Sequence, residues 1–290
     1  MEHILSTMLK RHSYANETQF RHALKEVIQE IALFALSKTD FFHVASFYGG
    51  SALRIFHGLH RFSEDLDFSL DVPDPAFDLQ KYFLAMETTF RSYGLNFQIK
   101  AKEKTTESFI RSAFLKGNKL EHMLLIEPRP ELTNFIQKSE LIQIKLEIDT
   151  SPPSLASYEF RYGLDPLPYR IRLYDPASLL AGKLHAVLCR QWKHRVKGRD
   201  LYDYVFFLSQ GIRVNLAHLK MRLVESQRWH ADQAFTLADA KRLLHDRFES
   251  LDYVLAKEDV ISFIADPSEL ELWSAAFFQS ITDRKLTATK

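Results

Sequence analysis

The sequence predicts an α+β fold, with a mixed sheet flanked by helices in residues 1–165 and a mainly helical domain in 166–290. Apolar residues recur at helical spacing near the N-terminus. Short apolar or alternating runs then occupy the region between about residues 42 and 149. Helical patterning returns at Asp175-Pro176 and continues almost to the end.

Asn16-Glu17-Thr18-Gln19 has the form of a capping box, with Asn16 as N-cap and Gln19 reaching back. Phe20, Leu24, Val27, Ile31 and Phe34 follow at helical spacing, so an amphipathic helix is expected to about Leu36. Phe42 to Tyr48 is short, apolar and aromatic and stops at two glycines, which predicts a buried strand entering a tight turn. Ser51 to Phe56 reads as a helical turn or two, and Leu66 to Leu70 as a second strand.

Pro73 and Pro75 precede a helix striped by Leu79, Phe83, Met86 and Phe90, with Gly94 placed as its C-terminal glycine. Strand-like runs follow at Phe97–Lys100, Phe109–Leu115 and Ile142–Ile148, while the register around Glu121 to Asn134 is not fixed by pattern. Pro152-Pro153 closes this region. Asp175 and Pro176 supply an N-cap and a proline at the first helical position, and open the helical remainder.

With 46% hydrophobic and 26% charged residues, the chain can bury a sizeable core. Its 38 basic and 37 acidic residues leave a net charge of +1, which argues against a coat-like nucleic-acid binder but allows a local basic groove. The single cysteine, Cys189, precludes an internal disulfide. The N-terminus lacks the order of a secretory signal and no apolar run suits a bilayer, so a cytoplasmic protein without membrane contact is expected.

Asp65 and Asp67 stand at i and i+2 around a strand, so both face one way while Leu66 and Phe68 face the core. Paired carboxylates of this kind supply the hard oxygens that two magnesium ions require for phosphoryl chemistry. Ile144-Lys145-Leu146-Glu147-Ile148-Asp149 alternates, placing Lys145, Glu147 and Asp149 on one face. Glu147 is the first choice for a third metal ligand and Asp149 the second. Gly49-Gly50-Ser51 follows a strand and opens a helix, where backbone amides and the Ser51 hydroxyl suit a triphosphate.

The runs Gly49-Gly50-Ser51-Ala52-Leu53-Arg54 and Arg61-Phe62-Ser63-Glu64-Asp65-Leu66-Asp67-Phe68 together resemble the AbiEii/AbiGii-type nucleotidyltransferase toxins of the polymerase-beta-like superfamily. The resemblance continues through Lys145-Leu146-Glu147-Ile148, Leu179-Leu180-Ala181-Gly182-Lys183-Leu184-His185-Ala186 and Arg199-Asp200-Leu201-Tyr202-Asp203. It implies a nucleotidyltransferase-like fold and transfer of a nucleoside monophosphate from a nucleoside triphosphate to an acceptor hydroxyl. It also implies a cognate antitoxin, with RNA such as the tRNA 3′ end as acceptor.

On the same footing Lys183, which otherwise reads equally well as a lysine extending to solvent, becomes a triphosphate contact, and Asp200 a base or an orienter of Lys183. Gly49, Gly50, Ser51, Arg61, Ser63 and Lys145 form the candidate nucleotide-binding set. Two other readings stay open: transfer to a protein side chain, and a catalytically silent binding module. The basic run Arg190–Arg199 around Trp192 reads either as a solvated loop or as a seat for single-stranded RNA.

Overall fold

The computed structural model describes residues 2–101, 119–127, 142–190 and 196–289. The chain divides into two compact units, where the sequence alone gave one boundary near residue 165. The first comprises residues 1–58, 63–152 and 159–173, and the second residues 59–62, 153–158 and 174–290.

The first unit begins with α1 (Glu2–Lys10) and α2 (Glu17–Ser37). The Asn16 side chain accepts from the Gln19 amide at 2.9 Å, and the Gln19 side chain reaches back to the Ala15 amide at 2.7 Å. Thirteen residues of α2 are buried, so this helix is the central support of the core. The apolar run expected to be a strand from Phe42 starts instead with a helical turn, α3 (Phe41–Val44), and only Ala45–Tyr48 forms β1. The Thr39 hydroxyl accepts from the Phe41 amide at 3.2 Å and caps that turn, while the Phe41 ring packs edge-on to Phe68 at 4.9 Å. A run this short, with Phe41 and Phe42 buried and His43 and Val44 exposed, suits either geometry, so its pattern does not distinguish them.

The helix α4 (Gly49–His57) leads to β2 (Leu66–Leu70), then a short 3-10 turn and α5 (Phe83–Ser92). Gly94 adopts φ +71°, and the Leu95 amide donates to the Phe90 carbonyl at 3.0 Å, the closure expected past a helix C-terminus. Strands β3 (Asn96–Ala101), β4 (Lys119–Glu127), β5 (Ile142–Asp149), β6 (Tyr158–Gly163) and β7 (Tyr169–Tyr174) complete the sheet. The expected strand at Phe109–Leu115 lies outside the described residues.

Among the described residues the sheet has seven strands in the order β3-β4-β5-β2-β1-β7-β6. It is mixed: β1 runs antiparallel to β2 and parallel to β7, and β2 runs parallel to β5. One face is apolar, with Phe47, Leu66, Phe68, Ile144, Leu146, Ile148, Ile171 and Leu173 all buried in the core with α2. The other face carries the polar members of the same alternation.

The second unit contains α6 (Pro176–Cys189), α7 (Gly198–Ser209), α8 (Leu216–Glu225), α9 (Leu237–Glu249), α10 (Tyr253–Ile261) and α11 (Ala275–Lys285). Asp175 caps α6 by accepting from the Ser178 amide at 2.8 Å, with Pro176 at the first helical position as expected. Phe248 and Phe278 pack at 5.2 Å in the core, and Tyr204 hydrogen-bonds Thr282 at 2.7 Å. No helix of either unit is long and apolar enough to cross a membrane among the described residues.

Candidate active site

β1 ends where α4 begins, and Gly49 makes the turn with φ +84°. The turn is tight because Tyr48 pairs with Asp67 across the β1–β2 ladder. A β-carbon on Gly49 would lie 2.2 Å from Asp67 Oδ2, so glycine is required by both backbone conformation and space. Gly50 is buried in the first turn of α4, whose amides point out from the helix N-terminus. Ser51 is also buried, and its hydroxyl donates to the Asp65 carbonyl. In this arrangement Ser51 ties α4 to the segment that presents Asp65.

Asp67 faces Glu147 directly in the parallel β2–β5 ladder, and Ser69 faces Asp149. The register continues into β4, where Glu121 stands opposite Glu147. Asp67, Glu147 and Glu121 therefore form a row across three adjacent strands on the polar face. Glu121 was missed from the sequence because its strand register could not be read. The Asp149 carboxylate accepts from the Ser151 amide at 3.2 Å.

Lys145, two residues before Glu147 on the same face, bonds its ammonium to Glu147 and approaches Glu121 at 3.5 Å. Among the described residues, no three histidine, cysteine, aspartate or glutamate side chains already converge closely enough to hold a metal ion. The donor chemistry nonetheless fits magnesium, because every candidate ligand is a carboxylate and Lys145 places a cation against two of them.

The segment before Asp65 is braced by α2. Gln29 Nε2 donates to the Ser63 carbonyl at 3.1 Å, Lys25 pairs with Glu64 at 3.3 Å, and Glu26 pairs with Arg54 of α4 at 3.0 Å. The Ser63 backbone thus serves the scaffold.

The remaining candidates belong to the helical unit. Arg61 is buried and forms a two-point pair with Asp203, both contacts at 2.6 Å, and its Nη1 donates to the Phe62 carbonyl at 2.8 Å. Lys183 reaches Asp203 at 2.6 Å and Asp200 at 3.2 Å, and Arg190 bonds the other oxygen of Asp200. Arg61 is thereby committed to Asp203, and Lys183 sits between two buried carboxylates. Burial pushes the Asp200 carboxyl up, but Arg190 and Lys183 outweigh it and hold it at about 2. A carboxylate so firmly ionised is a weak proton acceptor, which favours the orienting role for Asp200 over the base. Of the basic run Arg190–Arg199, residues 191–195, including Trp192, lie outside the described residues.

The family model for the nucleotidyl transferase AbiEii toxin of type IV toxin–antitoxin systems matches residues 31–278. Among solved structures, JHP933 from Helicobacter pylori aligns with TM-score 0.53 at 18% identity, covering 91% of this chain and 90% of that one. MenT4, a nucleotidyltransferase toxin from Mycobacterium tuberculosis, aligns with TM-score 0.48 at 17% identity, covering 98% of this chain and 88% of that one. No curated protein matches the sequence.

Proposed function

The chain belongs to the AbiEii nucleotidyl transferase toxin family, and from that premise we propose that it transfers a nucleoside monophosphate from a nucleoside triphosphate to RNA. The acceptor is the 3′ end of tRNA, the reaction depends on magnesium, and the protein is the toxin partner of a cognate antitoxin.

One observation supports this reading above the others: Asp67 and Glu147 are register partners on adjacent strands, beside a glycine turn that opens a helix. Asp65, Asp67 and Glu147 are assigned to the metal. Two magnesium ions, when bound, neutralise phosphate charge and align the attacking hydroxyl with the departing pyrophosphate. Gly49 and Gly50 bring main-chain amides to the triphosphate, while Ser51 holds Asp65 in place. Lys145 pairs with Glu147, and with Glu147 engaged by a metal it would be available to the phosphate oxygens. In the helical unit Lys183 is assigned to anion contact, oriented by Asp200 and Asp203.

The test is incubation with magnesium, each α-labelled nucleoside triphosphate in turn, and total tRNA, beside Asp67→Asn. Label on RNA with the unmodified protein alone supports the reading and identifies the donor base. Label on protein instead moves the acceptor class. Magnesium-dependent nucleotide binding with no transfer leaves a silent binding module.

A further inference from the structure

The β6–β7 margin of the sheet carries an unusual surface. β6 is the terminal strand of the sheet among the described residues. A terminal strand is ordinarily guarded by charged side chains against unwanted pairing. Glu159 and Arg161 form such a charged pair on one face of β6, whereas on the other Phe160 is 54% exposed and Tyr162 69%, and Leu164 and Leu167 beyond them are also exposed. Apolar rings left open in this way mark contact surfaces.

Cations accompany the rings. The Arg170 guanidinium lies 4.1 Å from the centre of the Phe160 ring, and Lys38 Nζ lies 4.0 Å from that of Phe34. Arg170, Lys38, His43, Thr39, Phe160 and Leu167 border one cleft of about 570 Å³, and among the described residues no carboxylate lines it. That volume is in the range of a nucleotide-sized ligand.

This margin shares a sheet face with the candidate metal ligands. Ser46 pairs with Ser69, two residues from Asp67 on β2, and Arg172 Nε donates to Ser46 Oγ at 3.0 Å. Arg170, two residues before Arg172 on β7, stands on the same face. With strands about 4.8 Å apart, β7 lies roughly 10 Å and β6 roughly 14 Å from β2 along the sheet. On that face the row of carboxylates is followed by Arg172, which pairs with Asp71, and then by Arg170 with the open rings, while Lys38, at the end of α2, borders the cleft from the side of the apolar face.

We propose that the Phe160–Arg170–Lys38 surface holds a single-stranded RNA segment, with bases stacked on the exposed rings and phosphates on the two cations. Open aromatic faces beside cations are the arrangement that grips an unpaired strand without reading its sequence. A protein strand adding to β6 would use the same edge, but it gives no account of a carboxylate-free cationic cleft. The inference rests on the RNA-acceptor reading and gives that acceptor a place on the sheet unit.

The test is fluorescence anisotropy with a labelled single-stranded RNA 12-mer, over a salt series, on the full chain and three variants. The double variant Lys38→Ala with Arg170→Ala is expected to weaken binding at least tenfold. It should also flatten the log K against log salt slope by about 1.4, two single-strand phosphate contacts. Phe160→Ala is expected to weaken binding several-fold and Phe160→Tyr to keep it, while magnesium-dependent nucleotide binding is unchanged in all. RNA affinity equal to wild type in the double variant and Phe160→Ala overturns the proposal, as does a Phe160→Ala defect confined to binding of a protein. RNA binding that depends on these residues, without label transfer to RNA, supports the surface and removes only the acceptor reading. Absence of RNA binding by the unmodified protein overturns both.

Discussion

Gly49 and Asp67 occupy space that a side chain at position 49 could not share: its β-carbon would stand 2.2 Å from the Asp67 carboxylate. The glycine turn and the acid are thus one fitted object. Gly49→Ala must either displace the carboxylate or open the turn. With φ +84° as well, about 1–3 kcal/mol of stability should be lost. Displacement of about an ångström at the reacting centre should lower transfer about a hundredfold or more. Chemical denaturation and initial-rate label transfer check the two parts separately.

Lys145 bonds Glu147, the carboxylate that the proposed function assigns to a metal ion. Lys145→Ala is expected to tighten manganese binding several-fold, read by isothermal titration. Unchanged affinity would show that Glu147 is not a metal ligand.

Asp203 is fully buried and receives both Arg61 and Lys183. Asp203→Asn leaves two cations short of a counter-charge and should cost about 3–5 kcal/mol. Asp200→Asn should cost less, because its partner Arg190 has a half-open side chain. Urea unfolding of the two variants compares them directly.

Two histidines of the helical unit predict the acid limb of stability. Burial lowers His185 to about 3 and His218 to about 4 from the ordinary 6.5. Both are neutral in the fold, whereas the unfolded chain takes up protons below pH 6.5. Their contribution is complete above that value and falls as pH drops, by about 2 kcal/mol for each histidine at pH 5. Urea midpoints between pH 4.5 and 8 check the trend, which His218→Gln should reduce.

Much of the sheet unit was legible because strict alternation has one meaning. Ile144 to Asp149 could bury Leu146 and Ile148 only by turning Lys145, Glu147 and Asp149 to the other face, and it does. Tyr169-Arg170-Ile171-Arg172-Leu173-Tyr174 alternates as cleanly, but lies beyond Pro152-Pro153, which read as the end of the strand region. Phe41-Phe42-His43-Val44 is too short to carry a period that separates a turn of helix from a strand. The Arg61–Asp203 pair spans 142 positions, a distance at which local pattern is blind. Sequence placed both residues in family motifs but not in contact.

The pairing of Asp67 with Glu147 rests on a main-chain ladder, so strand registry encodes the chemistry. A slip of two residues would seat Lys145 or Asp149 opposite Asp67, and a slip of one would bring up an aliphatic side chain. The folding step that fixes β2 against β5 thus decides which acids meet. The chain between those strands, which carries α5, β3 and β4, must return β5 in phase for the two acids to meet.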